Sequence, residues 1–502
     1  MKLESRILNA VLRVAPSLLL TLAYAGVAQA QPIMALPCAS PPANRVYSIE
    51  QGTTPGTDAY IKASDVAEWT FPGAASDTCS AVGSARACSG LSVTLPATGS
   101  PDNKTPKFTG TADTAGTVQK ITIKAVSSVA SADLCSADFT VKTTSSAGSG
   151  WGDPHLTTVD GVKYDFQSAG EFTALREDGF EVQTRQTPVP TASVPITNAY
   201  TGITHCVAIY TAVAAKLGTS RVTVQPSAGG EANASTMLVR VNGQVIELGD
   251  APFVLHAGGA NKGAIDGTIT KHPDGMFEIT DAFGTQLVVT SAFWNAHKVW
   301  YLNVSVYRTS AHEGTMGKLA AGSWLPALPD GTSLGAKPAS ESDRYQALYE
   351  KFADAWRVTD KTSLFDYEQG TKTATFTRDE WPRNHPKSCA IEGQTSAEAA
   401  TEEVAQKACA KVVNALRRAD CVFDVMVTGN AGFGKSYEVA QRFTPIAPGW
   451  YSPVPLPEPK PDCPKCKDCP PPTAHPWWCS WLAIGLGLVL LVVLVLLLRR
   501  KK

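Results

Sequence analysis

Along most of this chain, apolar residues alternate with polar ones in short runs closed by turn formers. That is the pattern of strands with one buried face. Residues 91–95, 121–126 and 139–142 alternate in this way, as do 171–175, 180–186, 237–241 and 301–306. Asn242-Gly243 follows residues 237–241 as a hairpin signal, and residues 277–280 and 287–290 flank Phe283-Gly284 as a second candidate pair. One segment has another period. Val404, Ala408, Val412 and Leu416 recur at helical spacing, which predicts a helix over residues 396–418 with Ser396 as its N-cap. The expected fold class is mostly β, with a single helical element late in the chain.

The two ends break the pattern. Residues 1–30 carry Lys2, Arg6 and Arg13, then an apolar run, then Ala28-Gln29-Ala30, which reads as a secretory signal with its cleavage site. Residues 482–498 contain no polar side chain, and Trp477, Trp478 and Trp481 precede them. A helix over 477–498 is long enough to cross about 30 Å of hydrocarbon, with the tryptophans at the interface. Arg499, Arg500, Lys501 and Lys502 follow at once and mark a cytoplasmic tail, residues 499–502. The expectation is a single-pass protein of the cell membrane with its bulk outside the cytoplasm, at the cell surface or in a periplasm. A processed sorting signal is the alternative for the same C-terminal segment.

Composition narrows the class. Between the ends lie about 450 residues, room for two or three domains. The net charge of −1 comes without any basic run, so nucleic acid is not an expected partner. All 12 cysteines follow the signal, and in an exported chain they read first as disulfides. Cys38, Cys79, Cys88 and Cys135 form an even set in the first domain. Cys206, Cys389, Cys409 and Cys421 form a second, expected to pin the helix as a cap on the β domain. Residues 445–476 are Pro-rich and read as an extended stalk. The stalk cysteines Cys463, Cys466 and Cys469 have a C-x-x-C-x-x-C spacing that could hold metal with His475 or Cys479. Inter-chain disulfides, and with them a homo-oligomer, are the preferred reading.

The most specific motif is residues 151–166, which open Trp151-Gly152-Asp153-Pro154-His155 and continue through Asp160-Gly161 to Tyr164-Asp165-Phe166. It resembles the opening of a von Willebrand factor type D domain, roughly G-D-P-H-x-x-T-x-D-G-x-x-Y-x-F. The resemblance implies a large antiparallel β domain over residues 149–444, extracellular and devoted to adhesion and assembly. It also implies that some members cut themselves at the Asp-Pro bond. Here Asp153, Pro154 and His155 are the residues for that chemistry: a carboxylate that can attack its own carbonyl, a tertiary amide as leaving group, and an adjacent acid. Asp160 matches a calcium ligand of the family, but residues 314–324, where the family has an Asn/Asp-rich loop, lack those ligands. Calcium needs roughly six to eight oxygens, so Asp160 alone is a weak candidate and otherwise a turn residue. Phe172 stands where animal members have a cysteine. Upstream, residues 108–117 resemble the signature of bacterial immunoglobulin-like modules, which implies a β-sandwich spacer over residues 36–144.

Residues 429–436 fit G-x-x-x-x-G-K-S, the phosphate-binding loop, after an apparent strand at 422–428. The context argues against nucleotide: Pro445 and the stalk follow where a long helix and further parallel strands would be needed. No nucleophile–base set, metalloprotease motif or carboxylate pair stands out, so no enzyme and no cofactor are expected beyond a self-cut. The leading functional expectation is a membrane-anchored surface protein presenting an adhesive or structural domain to a protein or glycan partner. A self-processing protein cleaved at Asp153-Pro154 is the alternative, and a hydrolase with dispersed residues the third.

Overall fold

The structure is a computed structural model that describes residues 45–50, 66–88, 90–96, 106–111, 118–127, 133–144, 147–192, 196–227, 237–259, 264–395, 397–446 and 449–451. The expected signal, residues 452–476 of the stalk with Cys463, Cys466 and Cys469, and the span at 477–498 lie outside these residues, as does Cys38. The stalk's expected start is corrected, since Gly449–Tyr451 is a strand paired with Arg45–Glu50. Among the described residues, no helix is long and apolar enough to cross a membrane.

The first part is two small sheets. One is a four-stranded meander, Ser80–Val82, Ala85–Cys88, Leu91–Thr94 and Lys107–Gly110. The other has five strands in the order Val66–Thr70, Val118–Ser127, Asp133–Thr144, Arg45–Glu50, Gly449–Tyr451. The alternation read from sequence is visible in the packing: Leu91, Val93, Phe108, Ile121, Ile123 and Val141 are buried. Cys79 and Cys88 form a disulfide across the meander, and Cys135 lies in the strand Asp133–Thr144. The last strand of the five-stranded sheet comes from the far end of the described chain.

Fourteen strands between Gly148 and Tyr307 form one sheet whose pairings are antiparallel. Its strands pair mostly with sequence neighbours, as short hairpins allow. The predicted runs fall where expected, at Gly170–Glu177, Phe180–Pro188, Met237–Val241, Phe277–Asp281, Gln286–Trp294 and Val299–Tyr307. Two cores flank this sheet. On one, a helical run that we call α1 (Glu341–Tyr345, then π-helical Gln346–Phe352, then Ala353–Trp356) sets Tyr349 and Phe352 against Phe166 and Phe172. A short helix, α2 (Thr373–Phe376), follows. Cys206 and Cys389, 183 residues apart, then tie the extended segment after α2 to the sheet.

The other core belongs to the helical cap, and here two expectations are corrected. The single helix over 396–418 is two helices, α3 (Glu402–Ala408) and α4 (Ala415–Thr428). Thr401 caps α3, its side chain accepting from the Val404 N–H; the expected cap Ser396 lies outside the described residues. The buried positions are Ala405, Cys409 and Val412, whereas Val404 and Leu416 are 50% and 57% exposed. A four-residue spacing drifts around a helix with 3.6 residues per turn, so it does not stay on one face. The Cys409–Cys421 disulfide staples the break between α3 and α4. The second correction is the strand at 422–428, which is the C-terminal half of α4. A fifth helix, α5 (Gly432–Ala440), completes the cap. Phe433, Tyr437 and Val425 pack on Trp151, Ile209, Trp294 and Tyr301 of the sheet.

Candidate functional site

The site is built on a tight hairpin. Strand Gly148–Trp151 turns through Gly152, Asp153 and Pro154 into strand His155–Thr157, with Trp151 opposite His155. His155 is in turn opposite Asp165 on Lys163–Asp165. Gly152 has φ +67°, a conformation that side chains rarely tolerate. A Cβ there would also lie 1.9 Å from Asp424 Oδ2 and 2.6 Å from the Tyr437 hydroxyl. Asn303 Oδ1 accepts the Gly152 N–H at 2.9 Å, and Ser305 Oγ accepts the Trp151 indole N–H at 2.8 Å. The turn is thereby gripped by the strand Val299–Tyr307.

Four ionisable residues meet behind this turn. His155 Nδ1 lies 2.8 Å from Asp165 Oδ1. Its Nε2 lies 2.9 Å from Asp424 Oδ1 and 3.0 Å from Asp153 Oδ1. His155 is 4% exposed and the three carboxylates 0%, so water screens none of these contacts. Each carboxylate is oriented further. The Asn198 amide donates to Asp165 Oδ2. The Tyr437 hydroxyl donates to Asp424 Oδ2 at 2.9 Å. The Gln167 amide donates to Asp153 Oδ1 at 3.3 Å, and its own oxygen is held by the Ala208 N–H at 2.7 Å. Asp153 Oδ2 is buried and has no hydrogen-bond partner among the described residues.

Burial alone would strip His155 of its proton, yet Asp153, Asp165 and Asp424 together hold its pKa well above the usual value. Both ring nitrogens then donate, as an imidazolium requires. Burial, and after it the charge of Asp153, lift the Asp424 carboxyl well above the carboxylate range, against the pull of His155. With all three acids ionised the cluster would carry a net charge of −2, so a buried acid that resists ionisation is the expected outcome.

Asp153, His155 and Asp165 are residue types that could hold a metal. Their placement fits poorly. Asp153 and Asp165 approach opposite ring nitrogens, and an imidazole nitrogen offers one lone pair pointing along its own side of the ring. The arrangement is a hydrogen-bonded ion cluster. Asp160 has a turn role in the structure. Its Oδ1 accepts from the Thr158 hydroxyl at 2.5 Å and its Oδ2 from the Leu319 N–H at 3.1 Å. It closes the turn with Gly161, φ +82°, and ties it to the 314–324 loop.

The phosphate-loop motif has a structural use. Gly429, φ +66°, ends α4, its N–H donating to the Val425 carbonyl. Gly434 lies so close to the Ala408 carbonyl that a Cβ would be 2.1 Å from it. Lys435 is exposed and pairs with Glu438 at 3.3 Å. Ser436 Oγ accepts from the Asn303 amide at 2.6 Å, so this motif helps to hold the residue that grips Gly152.

The sequence-predicted residues Asp153, Pro154 and His155 therefore lie together in the hairpin. Asp165, Gln167, Asn198, Asn303, Asp424 and Tyr437 were missed. Asp165 sat within the opening motif. The clue to Asp424 was a pair of acids, Asp420 and Asp424, one helical turn apart beside Cys421 and Val425 on a buried face. No curated protein matches the chain. Residues 148–297 match the family model of the von Willebrand factor type D domain, and the chain thus contains a domain of that family, with Asp153, His155 and Asp165 inside it.

Proposed function

We propose that this is an exported structural protein whose von Willebrand factor type D domain cuts its own chain between Asp153 and Pro154. The observation that carries the reading is the buried cluster. It holds a protonated His155 one residue from the scissile bond and leaves one oxygen of Asp153 without a partner. In the reaction, an Asp153 carboxylate oxygen bonds to the residue's own carbonyl carbon, closing a five-membered anhydride. The carbon–nitrogen bond to Pro154 breaks, and the His155 imidazolium supplies the proton that the proline nitrogen needs to leave. Water then opens the anhydride and leaves Asp153 as a free C-terminus. Anchoring of Asp153 Oδ1 by Gln167 and His155 holds the attacking group in place, which is the positional part of the rate.

The cut does not by itself release a fragment. Strand Gly148–Trp151 would stay paired with His155–Thr157 and Val299–Tyr307, and Arg45–Glu50 with Gly449–Tyr451. None of the described disulfides spans the bond: Cys79–Cys88 lies on its N-terminal side, Cys206–Cys389 and Cys409–Cys421 on its C-terminal side. Purified exported chain should be incubated between pH 5 and 8 and analysed by mass spectrometry. A new N-terminus at Pro154, lost in Asp153→Ala, supports the reading. An intact chain at every pH sinks it.

A second reading keeps the domain uncut, as an adhesive or structural module presented at a membrane. The family match and the disulfide framework support an extracellular module of that kind. In both readings the span at 477–498 anchors the chain, the first domain is an immunoglobulin-like spacer, and the stalk cysteines link copies. Protease added to intact cells should digest residues 45–446; protection of them would overturn the topology.

A further inference from the structure

The residue that completes the His155 cluster comes from outside the segment that matches the family. Asp424 is 269 residues from His155 and lies on α4, whereas the match ends at 297. Three observations tie it to the scissile turn. Its Oδ1 shares the His155 Nε2 hydrogen with Asp153, at 2.9 and 3.0 Å. Its Oδ2 is fixed by the Tyr437 hydroxyl of α5. It also occupies the space that a side chain at position 152 would need, so the glycine of the Gly-Asp-Pro-His tetrad accommodates this helix as well as the turn. Around the cluster edge, Arg417 of α4 donates to Ser149 and Thr157 and lies 4.4 Å over the Trp151 ring. The cap is thus keyed to both strands of the hairpin.

We propose that Asp424 is a positioning residue for scission at Asp153–Pro154, and that the bond becomes competent only once the helical cap has docked. The inference rests on the self-cleavage reading. Asp424 contributes in two ways. Its oxygen shares the Nε2–H, which aims the ring. As pH rises and Asp424 ionises, its negative charge holds the proton on His155. Burial and Asp153 oppose ionisation of Asp424 and the imidazolium favours it, so acid and base are linked. The other groups facing the cluster are accounted for. Asp165 is on Nδ1, and Tyr349 lies beside Gln167. Asp420 is occupied by Lys163 at 2.9 Å and Tyr200 at 3.1 Å. Arg417 is held on the hairpin itself, donating to Ser149, Thr157 and, at 3.5 Å, the His155 carbonyl.

The test is the pH–rate profile of Pro154 N-terminus formation in the full exported chain, for wild type, Asp424→Asn and Tyr437→Phe. Asp424→Asn keeps the shape and an acceptor for Nε2 but removes the charge. Its alkaline limb should move to lower pH by about one unit, which is roughly a tenfold loss of rate at pH 8 with little loss at pH 5.5. Tyr437→Phe should shift the limb the same way by less. A purely structural role would lower the rate alike at every pH. The ring signals of His155, followed by NMR in the uncleaved Asp153→Ala background, should titrate at lower pH when Asp424→Asn is added. Wild-type scission with both variants keeping the wild-type profile overturns the role of Asp424 and leaves self-cleavage standing. Absence of scission in the wild type removes both.

Discussion

Two buried ion clusters lie in the same sheet, and they are built on opposite principles. At one, the Arg185 guanidinium meets a single carboxylate, Glu171, at 2.8 Å. The other Glu171 oxygen accepts from the Tyr367 hydroxyl, and the cation is covered by Phe376 at 3.5 Å and Phe365 at 4.7 Å. Burial lowers the Arg185 pKa, Glu171 opposes that, and charge balances. At the other, one imidazole serves three carboxylates and an Asp153 oxygen is left over. A pair with one cation to one carboxylate balances its charge and holds structure together. An unbalanced one keeps reactive groups poised, and this one sits on an Asp–Pro bond.

The comparison can be broken most sharply at Asp153. Asp153→Ala should abolish formation of the Pro154 N-terminus altogether, read by mass spectrometry, while the chain still folds. Cutting at the wild-type rate in this variant would mean that a protease from outside makes the break. Arg185→Met should do the reverse. It strands Glu171 without its cation and should lower the free energy of unfolding by about 3–5 kcal/mol, measured by urea titration. Scission under conditions where the variant remains folded should be unchanged. A shift below about 1 kcal/mol would mean that the balanced pair does not hold structure as argued.

Loss of the Cys206–Cys389 bridge, as the double serine variant, should lower stability by about 2–5 kcal/mol because it closes a 183-residue loop. The pH dependence of stability distinguishes the clusters more finely. His155 binds its proton more tightly folded than unfolded, so its contribution is complete below about pH 6.5 and is lost as pH rises through the raised folded pKa. Asp424 is also raised, so it too favours the folded state towards acid and loses that contribution as pH rises above the ordinary carboxylate range. The thermal midpoint should therefore fall between pH 6 and 9. Each unit of raised pKa corresponds to about 1.4 kcal/mol, and Asp424→Asn should flatten the slope. A midpoint that rises over this range would show that the sign is wrong. The smallest effect belongs to Lys435→Ala. Its exposed pair with Glu438 should matter by less than about 0.5 kcal/mol, and ATP should shift the midpoint of neither form. A wild-type shift with ATP that this variant abolishes would restore the phosphate-loop reading.

How much of this was legible in the residues follows from range. Alternation with a period of two is local, so the strands of the large sheet could be placed before any tertiary contact was known. The Gly-Asp-Pro-His tetrad and Asp165 are near neighbours in sequence, and the family model recognises the same stretch. Local pattern misled where the determinant was packing. Four-residue spacing suggested one helix where Cys409–Cys421 and the buried set Ala405, Cys409 and Val412 make two. A phosphate-loop spelling hid a helix terminus and a close helix contact at Gly434.

The sequence by itself determined that the chain is largely β, that residues 151–166 open a type D domain, and that Asp153, Pro154 and His155 stand side by side. Only the tertiary structure decided what surrounds them. Asp424 and Tyr437 reach the turn from helices far along the chain, and Asn303 from a distant strand. The physical reason is that a buried charge must find its partners wherever the fold brings polar groups together. Such a meeting depends on packing across the whole domain and leaves no periodic trace along the chain.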